Sequence, residues 1–85
     1  MWEIRFRNKV VAKQIGRCMH NVSLQAPYEL FGFDFGKVSL EDFFYWLVLD
    51  LGLSQDTTED VIVEKARDSI FGIKTESGYI VNFLY

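Results

Sequence analysis

The stretch from Ser39 to Leu53, S-L-E-D-F-F-Y-W-L-V-L-D-L-G-L, predicts a short helix whose start and end are both marked. Ser39 can accept a backbone N–H at the helix start, and Asp42, three residues later, has the spacing of a capping box. Glu41 and Asp42 also place negative charge where the helix dipole favours it. At the other end, a left-handed Gly52 would let Leu53 fold back onto the last turn, which is a Schellman ending.

Apolar side chains surround most of this helix. With a period of about 3.6 residues they form one broad stripe. The stripe consists of Leu40, Phe43, Phe44, Leu47, Val48 and Leu51. Tyr45, Trp46 and Leu49 fall on the other side, and the helix is shorter than the ~20 apolar residues that span a bilayer. We therefore expect the stripe to pack on the core, and Tyr45, Trp46 and Leu49 to contact another layer or another molecule.

The N-terminal third predicts a hairpin followed by further extended chain. Residues 2–7 alternate apolar and charged side chains, as in a strand with one buried face. A turn at Asn8-Lys9 and a returning strand from Val10 to Ile15 complete the hairpin. Gly16 marks a bulge or a change of direction, and residues 18–24 can continue as an extended segment.

A second helix is predicted to begin near Asp56 or Thr57. Asp56 with Glu59, or Thr57 with Asp60, has capping-box spacing. The apolar positions that follow fall on one helical stripe, with charged residues outside it. They are Ile62, Val63, Ala66, Ile70 and Ile73.

Two aromatic segments predict strands. Phe31, Phe33 and Phe35 alternate with smaller or charged residues, as in a strand or an extended loop. Residues 73–85 predict a short strand, a turn at Ser77-Gly78 and a final strand paired with an N-terminal strand. The side chains that share one face of this final strand are Tyr79, Val81, Phe83 and Tyr85.

This order of elements predicts an α+β fold. We expect a small antiparallel sheet of about 4–6 strands, with N- and C-terminal hairpins and two helices packed on one face. The chain of 85 residues is 49% hydrophobic and 16% aromatic with one proline, which predicts a single compact domain over 1–85. A domain of this size leaves some aromatic side chains exposed, and such clusters mark interaction sites. Association with itself, as a homodimer or higher oligomer, or with a partner protein is therefore expected.

Charge and cysteine content limit the classes of ligand, partner and metal site that the chain is expected to have. Residues 1–37 carry a net charge of +3 and residues 38–85 carry −6, so an anionic ligand suits the first part and a basic partner the second. A net charge of −3 disfavours nucleic acid. One cysteine and one histidine cannot close a zinc site, and no cofactor is expected. The N-terminus lacks a secretory signal, so the expected location is cytoplasmic, without membrane contact.

Catalysis is disfavoured by the residues that could carry it. Cys18 and His20 share a face if their segment is extended, but no signature of a Cys-His enzyme surrounds them, and free cysteines are commonly buried. The carboxylate pairs lie at helix starts or on exposed faces, where capping and the helix dipole account for them. These pairs are Glu41-Asp42, Glu59-Asp60 and Glu64-Asp68.

A basic group in the first strands offers a different chemistry. Arg5 and Arg7 share the polar face of the first strand, and Lys13 can join them from the second. Arginine recognises phosphate or carboxylate with two parallel hydrogen bonds. Arg17, His20 and Asn21 would complete a site for a small anionic ligand, whereas the simpler interpretation is a solvated sheet face.

The expected function is that of a non-catalytic protein that occupies a partner protein through its aromatic and acidic helical surface. The size and composition also suit a small accessory protein of a virus or mobile element, acting in the host cytoplasm. The alternative is a homo-oligomeric binder that sequesters a small anionic or nucleotide-like ligand at an interface lined by arginine and aromatic groups.

Overall fold

The computed structural model describes residues 1–32 and 36–84. Its strands and helices are, in chain order, β1 (Trp2–Phe6), β2 (Lys9–Ile15), β3 (Cys18–Asn21), α1 (Tyr28–Phe31), β4 (Lys37–Ser39), α2 (Leu40–Asp50), α3 (Glu59–Asp68), β5 (Ile73–Lys74) and β6 (Ile80–Phe83). Among the described residues, six strands form one antiparallel sheet in the order β4-β3-β2-β1-β6-β5. Helices pack against this sheet. The predicted α+β class is confirmed.

The N-terminal hairpin closes through a tight turn, one residue earlier than predicted. Arg7 and Asn8 connect β1 to β2, and both have positive φ, 52° and 66°. A two-residue loop with positive φ at both positions is a type I′ turn, whose twist matches that of the strands. Gly16, with φ 63°, is the first of the two residues between β2 and β3, so it changes the direction of the chain.

The two ends of the chain meet in the middle of the sheet. β1 lies between β2 and β6, and Ile4 is opposite Ala12 on one side and Val81 on the other. The predicted pairing of the final strand with an N-terminal strand is therefore confirmed. A register shift between Ile4 and Arg5 leaves Val11 as an extra residue of β2, and its side chain is buried.

Helix α2 has the two predicted ends. The Asp42 backbone N–H donates to Ser39 Oγ at 3.2 Å. At the C-terminus the Gly52 N–H donates to the Leu49 carbonyl at 3.1 Å and the Leu53 N–H to the Val48 carbonyl at 3.0 Å. Gly52 has φ 68°, so these bonds make a Schellman motif.

Helix α3 is shorter than its sequence pattern predicts. Its N-cap is Thr58, whose side chain makes no capping hydrogen bond, so neither predicted capping box is used. Before it, Ser54 accepts from the backbone N–H groups of Asp56 and Thr57, which holds them in a turn. Ser69 is extended, with φ −106° and ψ 120°, so the helix ends and Ile70 is left 92% exposed. The expected place of Ile70 on the apolar stripe was wrong.

The core lies between the sheet and α2. The Trp2 ring of β1 contacts Phe43 and Phe44 of α2, with centroids 5.5 and 5.6 Å apart, and Phe83 of β6 at 5.0 Å. Edge-to-face and tilted pairs of this kind add to the apolar burial of each ring. This aromatic cluster fixes α2 over the centre of the sheet, with its opposite side facing away.

Two predicted strand faces are only partly described. Tyr28–Phe31 forms the short helix α1 rather than a strand, and Phe31 is buried, whereas Phe33 and Phe35 lie outside the described residues. On the final strand, Val81 is buried and Phe83 contacts Trp2, so the face that these two residues share lies towards the core. Tyr85 lies outside the described residues.

Candidate functional site

Charge is separated between the two layers of the fold. The strands carry basic side chains with a single carboxylate, Glu3, among the described residues. These basic residues are Arg5, Lys9, Lys13, Lys37 and Lys74. The helices carry mostly carboxylates. These are Glu29, Glu41, Asp42, Asp50, Glu59, Asp60, Glu64 and Asp68. The contrast expected between the two parts of the chain is therefore a contrast between sheet and helices.

The outward side of α2 exposes two large side chains one turn apart. Tyr45 is 63% exposed and Leu49 is 50% exposed. They lie four positions apart, so they stand next to each other on the helix surface. We call this pair the Tyr45–Leu49 ridge. The prediction that these two side chains remain uncovered by the core is consistent with their exposure.

Trp46 does not belong to this exposed surface, contrary to the prediction. It is 7% exposed, and its ring stacks on Phe43 at 6.3 Å and contacts the Tyr79 ring at 6.0 Å. Position 46 is three residues from Phe43, so it borders the core stripe rather than opposing it. The sequence pattern did not indicate that Trp46 is buried, because Tyr79, which contacts it, lies more than 30 positions away in the chain.

An apolar groove separates the ridge from α3. It has a volume of about 290 Å³ and is mainly lined by apolar side chains and the aliphatic parts of polar ones. Its lining residues are Phe44, Tyr45, Val48, Leu49, Gln55, Thr57, Glu59 and Ile62. We call it the α2–α3 groove. It offers space for an apolar side chain of another molecule, with Glu59 as the carboxylate at its edge.

A second groove lies on the other side of the ridge, towards α1. It has a volume of about 450 Å³ and combines apolar and aromatic side chains with carboxylates. Its lining residues are Glu29, Leu30, Asp42, Tyr45, Trp46, Leu49 and Asp50. We call it the α1–α2 groove. No basic side chain lines it within the described part of the chain.

The α1–α2 groove has an unusual carboxylate at its end. Asp50 Oδ1 accepts a hydrogen bond from Ser77 Oγ at 2.7 Å, whereas Oδ2 is buried and has no hydrogen-bond partner among the described residues. Close by, burial raises the pKa of the Tyr79 phenol, and the negative charges of Glu29 and Asp50 raise it further. The Glu29 and Asp50 carboxylates therefore both lie close enough to Tyr79 to influence its ionisation.

The outer face of the sheet presents the predicted basic residues as a row. The strand registers place Glu3 opposite Lys13, Lys13 opposite His20, and His20 opposite Lys37. Residues paired in this way share one face, here the face away from the helices. Arg5 lies two positions from Glu3 on the same strand and forms an ion pair with it at 2.7 Å. Lys13 and His20 are therefore direct neighbours, and Arg5 shares their face of the sheet on β1.

Other members of the predicted anion site lie elsewhere. Arg7 and Arg17 occupy the turns at opposite ends of β2, roughly 20 Å apart for a strand of this length. The Arg7 guanidinium lies 5.1 Å from the centroid of the Phe6 ring, and Arg17 borders a groove with Glu41. Asn21 pairs with Ala12 on the face opposite His20. A single site containing Arg5, Arg7, Lys13, Arg17 and His20 is therefore not formed.

Cys18 and His20 share the outer face of β3, as predicted. The sheet neighbours of Cys18 are Ile15 and Ser39, and no hydrogen bond joins the thiol to His20 in the structure as described. Within residues 1–32 and 36–84, no three His, Cys, Asp or Glu side chains are grouped to hold a metal ion. In the same part of the chain, no helix is long and apolar enough to cross a membrane.

Sequence reasoning identified the ridge but missed most of what surrounds it. Glu29 and Leu30 come from α1, a helix that the strand interpretation of residues 28–36 did not include. Pro27 was a usable signal, because proline favours the first positions of a helix and Glu29 suits its first turn. Asp50 gave no such signal, because its place in the groove depends on the distant Ser77.

No protein-family model, no curated protein and no solved structure matches the chain.

Proposed function

We propose that this chain is a non-catalytic binding protein that occupies a basic, apolar segment of a partner protein with the outward side of α2. The observation that carries the proposal is the Tyr45–Leu49 ridge, which is exposed between two grooves. Exposed aromatic and aliphatic side chains beside apolar grooves are the usual anchors of a protein interface.

Charge indicates the chemistry of the partner. Carboxylates flank the ridge on both sides, with Glu59 in one groove and Glu29, Asp42 and Asp50 in the other. Complementary charge raises the rate of association and selects among partners. A partner segment with basic residues around an apolar centre fits this surface, and an acidic segment is repelled by it.

A variant of the ridge tests the proposal. Tyr45→Lys combined with Leu49→Lys removes the apolar ridge and adds charges that repel a basic segment, at two exposed positions of α2. Ile15→Lys combined with Val22→Lys is the matched control, because these side chains are 50% and 49% exposed and lie outside the grooves. Each protein is used for affinity capture from the cell that naturally produces the chain, with mass analysis. The captured protein is then purified and its direct binding is measured.

The expected result is a defined protein that binds the parent and the control but not the ridge variant. Sedimentation of the same three proteins covers the case in which the partner is a second copy, since the ridge variant should then be smaller than the other two. If the parent is monomeric and all three proteins capture the same set, the proposal is wrong.

The basic row on the outer sheet face supports a second candidate function, the binding of a small anionic or nucleotide-like ligand. Lys13, His20 and Lys37 are neighbours across three strands. A ligand that binds the native chain must raise its melting temperature. Nucleotides and cyclic dinucleotides at millimolar concentration should stabilise the parent and a Lys65→Gln control, but not Lys13→Gln. No stabilisation of the parent would exclude this candidate.

A further inference from the structure

The α1–α2 groove differs from its neighbour in chemistry, although both border the Tyr45–Leu49 ridge. The α2–α3 groove has one carboxylate, Glu59, among mainly apolar side chains. The α1–α2 groove is larger, about 450 Å³, and has three carboxylates beside an aromatic and aliphatic wall. A partner that lies across the ridge would therefore meet an apolar space on one side and an acidic, aromatic space on the other.

The acidic residues of the α1–α2 groove have no basic neighbour in the groove lining as described. Its lining within residues 1–32 and 36–84 contains no lysine or arginine. Asp50 Oδ2 is buried and has no hydrogen-bond donor among these described residues, although a buried carboxylate oxygen without a partner is costly. The raised pKa of Tyr79, caused first by burial and then by Glu29 and Asp50, agrees with a region of negative potential.

Aromatic side chains make this groove suited to an organic cation. Tyr45 is exposed at its edge, and Trp46 contributes to its wall. A guanidinium group can stack on an aromatic ring while its planar N–H donors bind carboxylates, and it is more weakly hydrated than an ammonium group. A bare metal ion would gain nothing from the aromatic and leucine side chains, and the carboxylates are not grouped as metal ligands in the described chain.

We infer that the α1–α2 groove binds one arginine side chain of the partner segment that docks on the Tyr45–Leu49 ridge. This inference rests on the proposed function and specifies its partner. The guanidinium stacks on Tyr45, donates hydrogen bonds to Asp42, and is attracted by the negative charges of Glu29 and Asp50. An apolar residue of the same segment enters the α2–α3 groove. The recognised sequence therefore contains an arginine and an apolar residue close enough to lie on both sides of one ridge.

The test uses a small probe rather than the partner. The isotope-labelled chain is titrated with N-acetyl-arginine methylamide and followed by amide and indole NMR shifts. N-acetyl-citrulline methylamide is the control probe, because it has nearly the same shape without the charge. The arginine probe should shift the resonances of Asp42, Tyr45, Trp46 and Asp50 in a saturable way at millimolar concentration, and the citrulline probe should not. Shifts that are equal for both probes, or that lie outside this groove, would overturn the inference.

A pair of variants adds a second criterion. Asp50→Asn keeps the acceptor for Ser77 but removes the charge in the groove, and it should weaken binding of the arginine probe severalfold. Glu64→Gln removes an equivalent charge from α3, outside both grooves, and should have little effect. The two thermal unfolding curves show whether each variant is folded. Equal weakening by both variants would mean that the probe senses only the net charge, which contradicts a specific site.

The experiments can show the arginine site to be wrong without the proposed function, and the proposed function to be wrong without the arginine site. If the ridge variant loses the captured partner while Asp50→Asn and the parent bind it equally, the partner uses the ridge without an arginine in the groove. If the arginine probe binds as expected but the ridge variant still captures the same proteins, the groove is a cation site and the proposed function is wrong.

Discussion

Replacing Gly72 by alanine adds only one methyl group but should destabilise the chain strongly. It has φ 90°, and a Cβ placed there would lie 2.8 Å from Ile80 Cγ2 and even closer to Asn82 Oδ1. Gly72→Ala should lower the free energy of unfolding by roughly 2 kcal/mol or more, because left-handed strain and overpacking both contribute. Denaturant unfolding measures this loss.

Gly16→Ala is the matched control for this prediction. Gly16 also has positive φ, 63°, but nothing lies within 4 Å of a Cβ placed there. The Gly16→Ala variant should therefore lose only the free energy of backbone strain, about 1 kcal/mol. Equal losses of free energy in the two variants would mean that the close approach of Gly72 to β6 adds nothing to the cost of the Gly72→Ala substitution.

Tyr79 gives the chain a predictable sensitivity to alkali. Burial, followed by the charges of Glu29 and Asp50, raises the pKa of its phenol above the ordinary value of 10.0. The unfolded chain therefore loses this proton at a lower pH than the folded chain. This group leaves the free energy of unfolding unchanged below about pH 10, and lowers it as pH rises from there towards the folded pKa.

The variant Tyr79→Phe removes this titration while keeping a ring against Phe6 and Trp46. The parent should lose stability more steeply than the variant as pH increases above 10.0, which urea unfolding at a series of pH values would measure. Parallel pH profiles for the two proteins would contradict the raised pKa.

At the scale of an element, the two main helices begin in different ways. Ser39 caps α2 with a side-chain hydrogen bond to the Asp42 N–H, whereas Thr58 at the start of α3 makes no such bond. Ser39→Ala should lower the free energy of unfolding by about 1 kcal/mol, and Thr58→Ala by clearly less. Thermal or urea unfolding of both variants measures the difference. Equal losses would mean that the observed cap on α2 does not stabilise it.

The same contrast explains which elements could be predicted. The ends of α2 depend on residues within a few positions, Ser39 with Asp42 and Gly52 with Leu53, so the local pattern was sufficient. Several residues before α3 have side chains that can cap a helix, so the sequence did not single out one start. In the structure, the turn at Ser54 holds Asp56 before the helix begins. The hairpins were predicted because alternation and glycine are also local signals.

The candidate site was less predictable because it depends on contacts between distant segments. The exposure of Tyr45 and Leu49 could be inferred from helical periodicity. The burial of Trp46 could not, because the Tyr79 ring that contacts it comes from a distant part of the chain. The proposed anion site was divided by the sheet register, which placed Lys13 beside His20 but Arg7 and Arg17 at opposite ends of β2.

At the scale of the whole molecule, the sign of charge follows the layers. The basic outer face of the sheet and the acidic helices lie on opposite sides of a body that measures 30 × 25 × 25 Å. The Debye length is about 10 Å at an ionic strength of about 0.1 M. An approaching molecule therefore senses one face at a time rather than the net charge of −3.

This arrangement predicts how copies of the chain influence each other. A uniformly charged protein with a net charge of −3 would repel itself, and added salt would weaken the repulsion. Here the basic face of one copy attracts the acidic helices of another, and salt screens that attraction. The osmotic second virial coefficient, measured by light scattering at neutral pH, should therefore rise when salt is first added.

Reversing the charges of the basic row distinguishes a chain that behaves as uniformly charged from one whose charges are separated between sheet and helices. Lys13→Glu combined with Lys37→Glu reverses the two positive charges on either side of His20, on β2 and β4, and leaves the helices unchanged. The variant is negative on both sides, so its virial coefficient should start higher and fall with salt. If the parent also shows a falling coefficient, net charge outweighs the separation by layers. The acidic helical face would then have to recognise a basic partner through short-range contacts in its grooves rather than through attraction from a distance.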